Sequence, residues 1–313
     1  MTAGLTRREF IGASLAMVGG VRLASAADNP ERMTLGFSTY GMKTLPTERA
    51  IDVIAETGYD AVEITVWPGW DAAPERMSAV RRESIRSRLA ERNLKLTSLM
   101  EHVYPSADDT EHKKSLDRLL HVYQMAAELA PDDGRPPVVQ TVLGGGKWDE
   151  KKSMFRDRVG DWVELGDSFG IVTCVKPHRG GGMSQPSEAV WLIEQLGKSK
   201  WLRMVYDYSH YTFRDIPLLD SIRQALPYTA HVAVKDAVQE NGRVRFDLPG
   251  AAGTIDFQTL LRTLDQGGYT GDISCEVSGQ VWSKTGYDPV KAAQVCYRNM
   301  SAAFKAAEIK RGS

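Results

Sequence analysis

Short apolar runs alternate with longer amphipathic segments from about residue 34 to the end of the chain. Eight runs stand out, at 34–38, 61–65, 94–100, 138–143, 171–176, 202–206, 229–234 and 272–275. They show little polar alternation, as strands buried on both faces do. The segments between them carry apolar residues at helical spacing. Helices are predicted over 47–57, 78–92, 110–130, 151–169, 186–196, 216–226, 256–266 and 288–309. Thr47, Thr110 and Asp256 read as N-caps, and Ser78 precedes the strongly basic second helix. Gly58 stops the first helix, and Pro289 stands early in the last, where its missing N–H does no harm. Val80, Ile85 and Leu89 form the expected buried stripe of the second helix. Leu116, Leu119, Leu120, Tyr123 and Ala127 form that of the third.

Eight strands alternating with eight helices predict an α/β fold, a closed (β/α)8 TIM barrel. An open doubly wound sheet is the alternative. It would hold eight parallel strands without closure, and no fingerprint glycine loop follows the first strand. The 313 residues, 42% hydrophobic, suit one large domain. A net charge of -1 gives no footprint for nucleic acid or an anionic membrane. No internal run is apolar enough to span a bilayer.

The N-terminus reads differently. Thr6-Arg7-Arg8-Glu9-Phe10-Ile11 precedes a mild apolar stretch and then Ala24-Ser25-Ala26. That order matches an export signal with a small-residue cleavage site, and the paired arginines match the twin-arginine type. Residues 1–26 are therefore expected to be a signal peptide and 27–313 the barrel, exported or periplasmic and free of the membrane after cleavage. Cys174, Cys275 and Cys296 are odd in number and show no C-x-x-C spacing, so a disulfide framework is not expected.

Polar residues gather at or just beyond the C-terminal ends of the predicted strands, the catalytic face of such a barrel. They are Glu63, His102, Lys176, His178, Asp207, His210, His231 and Glu276. His112 and His121 lie inside a helix and read as packing or surface residues. Asp207, His231 and Glu276 form a candidate set for one divalent metal ion; their types suit Mn, Co, Zn or Mg. His178 is a candidate fourth ligand. His210, three residues past Asp207, could bind metal, contact substrate or orient a ligand. Trp67, Trp70, Trp148 and Trp282 fall on predicted loops, where aromatic faces can stack on a sugar ring or simply pack. Arg179 and Lys235 flank the same strand ends and are further substrate-binding candidates. The glycine runs at 144–146 and 180–182 do not show the strand–loop–helix lysine pattern of a nucleotide phosphate loop, so ATP and NAD are not implied.

The chain resembles the xylose isomerase-like barrel superfamily of sugar isomerases and epimerases, which also contains endonuclease IV. The marks are VEI at Glu63, D-x-x-H at Asp207 and His210, the histidine at His231, and LPGAAGTIDFQTLLRTLDQGGYTGDISCE ending at Glu276. The resemblance implies a metal held by Glu, Asp, His and Glu from strands five to eight. The last three match Asp207, His231 and Glu276. Lys176 stands where the strand-five glutamate would be. That glutamate is both a ligand and an acid/base residue in the typical epimerases. Lys176 could be a buried cation in place of metal charge, a base, or a holder of substrate oxygen. The endonucleases also need a strand-four histidine, absent here, so DNA repair is not expected.

The expected function is proton abstraction next to the carbonyl of a keto-sugar, with Lys176, Glu276, His210 and His178 as catalytic candidates. The same carbanion could be epimerised or isomerised. It could also eliminate a β substituent, as relatives acting on 3-keto-glycosides do. A non-catalytic sugar-binding barrel is the reading from another class. The expected partner is a small carbohydrate, and an oligomer is compatible with it.

Overall fold

The computed structural model describes residues 32–131 and 134–312. The expected signal at 1–26 lies outside them. The described residues contain a closed barrel of eight parallel strands. These are β1 (Thr34–Ser38), β2 (Ala61–Thr65), β3 (Lys95–Met100), β4 (Val138–Thr141), β5 (Thr173–Val175), β6 (Leu202–Tyr206), β7 (Thr229–Val234) and β10 (Asp272–Cys275). Each pairs with the next, and β10 returns to β1. A two-stranded antiparallel hairpin, β8 (Asp236–Glu240) and β9 (Arg243–Asp247), follows β7.

The helices α1 (Thr47–Thr57), α2 (Ala79–Glu91), α3 (Asp109–Leu129), α4 (Trp148–Phe169), α5 (Pro186–Gln195), α6 (Leu218–Ala225), α7 (Phe257–Gln266) and α9 (Pro289–Ala306) follow the barrel strands. A one-turn helix, α8 (Gly279–Trp282), precedes α9. Among the described residues, no helix is long and apolar enough to cross a membrane.

Several local expectations need correction. Thr47 is the first helical residue of α1 rather than its cap; its N–H and hydroxyl both donate to Asp71 Oδ2, at 2.8 and 2.7 Å. Asp108, not Thr110, caps α3 by accepting from the Glu111 N–H. Val80 is 81% exposed. It stands five residues before Ile85, which turns it about 140° away from the stripe that Ile85 and Leu89 bury. Ala127 is exposed, and Ala126, seven residues after Leu119, takes its place inside. Trp148 opens α4 rather than lying on a loop. Gly58 does end α1, at φ 101, where a side chain would be strained.

The hairpin lies between the predicted seventh strand and seventh helix, where no element is expected, yet its signal is in the sequence. Asn241 and Gly242 take φ 50 and 75, the two positive values that a tight two-residue hairpin turn requires.

The main core lies between barrel and helices and includes Trp162, Tyr123, Phe37 and Phe155. The barrel interior has only a small apolar layer, Cys174, Val205 and Ala233. Polar groups fill much of the rest: Glu63, Ser98, Gln140, His231 and Ser274 are all buried. Asp272 is buried at the β1–β10 seam, where Gly36 leaves it room; a Cβ there would lie 2.6 Å from Asp272 Oδ2. Thr34 and Thr97 hydroxyls donate to its carboxyl at 2.8 and 3.1 Å. Burial pushes that carboxyl up to about 6. The three cysteines are free and buried.

Candidate active site

Strand register decides which polar side chains meet. Val205 of β6 sits beside His231 of β7, and Cys275 of β10 beside Val234. Two more residues along β6 reach Asp207. One more along each of the others reaches Lys235 and Glu276. Asp207, Lys235 and Glu276 therefore stand together at the C-terminal mouth. His231 lies four residues lower on its own strand, about 13 Å at the usual rise. It belongs to the barrel interior, 3.2 Å from Glu63 Oε2.

A buried quartet occupies the mouth. Lys176 Nζ lies 2.6 Å from Glu276 Oε2 and 2.9 Å from Asp207 Oδ2. Lys235 Nζ donates to Glu276 Oε1 at 2.8 Å and also to Asp207 Oδ2. Asp207 Oδ1 accepts from the Ser209 hydroxyl at 2.6 Å. Four strand ends thus contribute two ammonium groups and two carboxylates. None of the four residues is more than 6% exposed.

The electrostatics follow from that pairing. Burial works against the ammonium of Lys176, but Asp207 and Glu276 outweigh it and hold the group protonated, above the ordinary lysine range. Burial likewise opposes charge on the two carboxyls. Lys176 and Lys235 overcome it, holding Glu276 at about 2 and Asp207 well below its ordinary value. His178 is pushed down to about 4 by burial and the two lysine charges. His210 is also held neutral, by burial and then Lys235. In the interior pair, burial would raise Glu63, but the hydrogen bond and charge of His231 hold it at about 2. Burial would lower His231, and Glu63 raises it instead.

The expected metal ligands do not assemble a cation site. Both carboxylates are already engaged by ammonium groups, and the expected imidazole, His231, faces Glu63 a layer below. Among the described residues, no three His, Cys, Asp or Glu side chains form a group that could hold a metal ion. His178 packs at a tilt on His210, with ring centroids 4.1 Å apart, and His210 Nδ1 accepts from the Arg179 N–H. The donor set at this mouth does not fit a divalent metal ion.

A cleft of about 530 Å³ opens above the quartet. Lys176 and Glu276 line it, while Asp207 and Lys235 lie beneath. Of the other expected contacts, Trp67, His102, His178 and Arg179 line it as well. His102 stacks on Trp67 at 4.1 Å and 16°. Trp70 and Trp282 do not line it; they pack behind Tyr40, at 5.4 and 5.6 Å. Trp148 packs on Trp191. Glu63, His210 and His231 are buried below or beside the cleft. Lys235 is covered rather than open to substrate, with Phe246 of the hairpin 5.1 Å from its Nζ. Phe246 also packs edge-on against His210.

Tyr40 and Tyr104 line the cleft too, and sequence reasoning missed them. Tyr40 follows β1 by two residues, a strand-end position open to the same argument that found the others. Burial and the Glu276 charge push its hydroxyl up to about 12.

Comparison with known proteins fits this architecture. The profile of the xylose isomerase-like TIM barrel family matches residues 51–295. The chain belongs to that family. Within it, this xylose isomerase-like barrel is similar to a Mus musculus protein provisionally named hydroxypyruvate isomerase, 29% identical over 113 residues. The match covers 34% of this chain and 38% of that protein, so the chain spans well under half of that relative. Solved structures that share the fold include an E. coli 3-keto-D-glucoside 4-epimerase. It has TM-score 0.67 and 16% identity, covering 88% of this chain and 100% of that one. The zinc-bound IolI protein has TM-score 0.72 and 16% identity, covering 88% of this chain and 98% of that one.

Proposed function

We propose that this barrel is a carbohydrate isomerase or epimerase that abstracts a proton next to the carbonyl of a keto-sugar. One observation carries the reading. The Lys176 ammonium and the Glu276 carboxylate, 2.6 Å apart, both face one aromatic-walled cleft. An ammonium aimed at the carbonyl oxygen stabilises negative charge as it develops there. A carboxylate beside it can accept the α-proton. In the free protein Glu276 is a weak base, because Lys176 and Lys235 hold it at about 2. When Lys176 turns one N–H to the substrate oxygen and keeps its others on the carboxylates, its hold on Glu276 weakens and Glu276 becomes more basic. His178, neutral because its value is about 4, is free to accept or relay a proton on the cleft side. Trp67 and Tyr40 offer faces for the apolar side of a sugar ring.

Elimination from a 3-keto-glycoside is a second reading. The cleft runs from Lys176 past Tyr104 to the glycine loops at 144–145 and 180–181. That leaves space beside the reacting ring for a leaving group. The carbanion electrons would then form a C=C bond as the C–O bond breaks, and the departing oxygen would take up a proton. The twin-arginine motif at Thr6-Arg7-Arg8 supports export and substrates without phosphate.

The test is incubation with unphosphorylated keto-hexoses and 3-keto-glycosides in deuterated water. Deuterium is expected on the carbon next to the carbonyl. Glu276→Gln should abolish its incorporation, and Lys176→Met should slow it about 10²–10³-fold, as loss of one oxyanion donor does. Sugar binding by calorimetry with neither exchange nor product would refute the enzyme reading and leave a sugar-binding barrel.

A further inference from the structure

We infer that the ammonium groups of Lys176 and Lys235 together take the place of a divalent cation at the barrel mouth, with Lys176 as the group that meets substrate oxygen. Charge supports this first. Two ammonium groups carry the charge of one divalent ion, and they neutralise Asp207 and Glu276. Burying those carboxylates unpaired would be costly.

Geometry supports it next. Each Nζ bonds both carboxylates, so the two nitrogens sit between the oxygens where a bridging cation would be. The groups come from the ends of β5, β6, β7 and β10, the strands on which the family resemblance would place metal ligands.

The two lysines are not equivalent. Lys235 is 1% exposed and lies under Phe246. It supplies charge that never leaves the quartet. Lys176 lines the cleft and can swing one N–H toward a ligand while its others stay on the carboxylates. A metal ion offers an open coordination position for the same purpose. The ligand class is a carbonyl that becomes an oxyanion, or a carboxylate that resembles one.

The charge replacement stands without the sugar reading; only the role of Lys176 toward a carbonyl rests on it. The experiment is calorimetric titration of the full-length protein with Mn²⁺, Co²⁺, Zn²⁺ and Mg²⁺, with metal content measured in parallel. The wild-type protein is expected to show no saturable uptake. The Lys176→Glu/Lys235→Met double variant, shown to be folded by near-UV circular dichroism, should take up about one equivalent of Mn²⁺ or Co²⁺ through its three carboxylates. Saturable uptake by the wild type that Asp207→Asn removes would overturn the inference, as would no uptake by the folded double variant. If that variant does not fold, the wild-type titration decides alone. Failure of the sugar assay would leave both metal outcomes intact, so the two ideas fail separately.

Discussion

Removing Lys235 tests the quartet most directly. Lys235→Met keeps most of the stem and deletes the charge, leaving one ammonium against two buried carboxylates. At about 2.8 Å and an effective dielectric of about 20, each lost contact is worth roughly 6 kcal/mol of attraction. The ammonium also no longer needs to be desolvated, which offsets much of that. Breaking a buried pair by deleting one partner costs about 3–5 kcal/mol net. For a chain of this size that is a fall of about 6–10 °C in the unfolding temperature. The assay is differential scanning calorimetry at about pH 7.5 and again at about pH 5.

The sign of the pH effect is set by the carboxylates. In the wild type Asp207 and Glu276 are depressed, so their stabilisation is full above the ordinary carboxylate range. It is lost only as pH falls through the folded values, about 2 for Glu276 and well below the ordinary aspartate value for Asp207. Without Lys235 both rise, and one carboxyl is protonated sooner as pH falls. The deficit should therefore be smaller at the lower pH. Lys152→Met, on a partly exposed helix face, is the control and should shift little. A Lys235→Met shift no larger than the control, or one equal at both pH values, would refute the reasoning.

Three other outcomes are expected. His231 should titrate above its ordinary 6.5 by NMR, so its stabilising pairing is full below that value and lost as pH rises through the folded one. Glu63→Gln should bring it below 6.5, while His178 stays neutral down to about 4. Asp272, raised from 3.8 to about 6, binds a proton in the fold that the unfolded chain lacks between those values. Stability should thus fall as pH rises through that window, and Asp272→Asn should flatten the slope in pH-dependent calorimetry. Trp67→Ala should raise the KM for sugar about tenfold, consistent with losing a stacked aromatic face worth roughly 0.5–1.5 kcal/mol beyond its buried area. Trp148→Ala, on a ring that packs against Trp191, should leave KM unchanged.

The barrel was legible because strand and helix differ in period, and β1, β2, β6, β7 and β10 fall where the apolar runs predicted. The site was legible only in part. Chain position shows that Asp207 and Glu276 end strands, but not which neighbour stands level with them. His231 reads as a strand-end residue, yet it is the third residue of a six-residue strand. Lys235 alternates with it through Ala233 on the same face and reaches the mouth instead. Lys176 marked the departure from a metal site. Its partner could be named only once the register between β7 and β10 was known. The β8–β9 hairpin was missed although Asn241-Gly242 signals its turn, because it is an insertion outside the strand–helix alternation of the barrel.

The quartet also bears on how the barrel completes itself. Lys176, Asp207 and Lys235 arrive on three neighbouring strands, and Glu276 arrives on the last to be synthesised. Before β10 docks, the other three carry a surplus positive charge at a mouth that must become dry. Docking of β10 removes the surplus and joins the sheet to β1 in the same event. The ion cluster thus acts as a latch on ring closure, rewarding only the complete circle of strands.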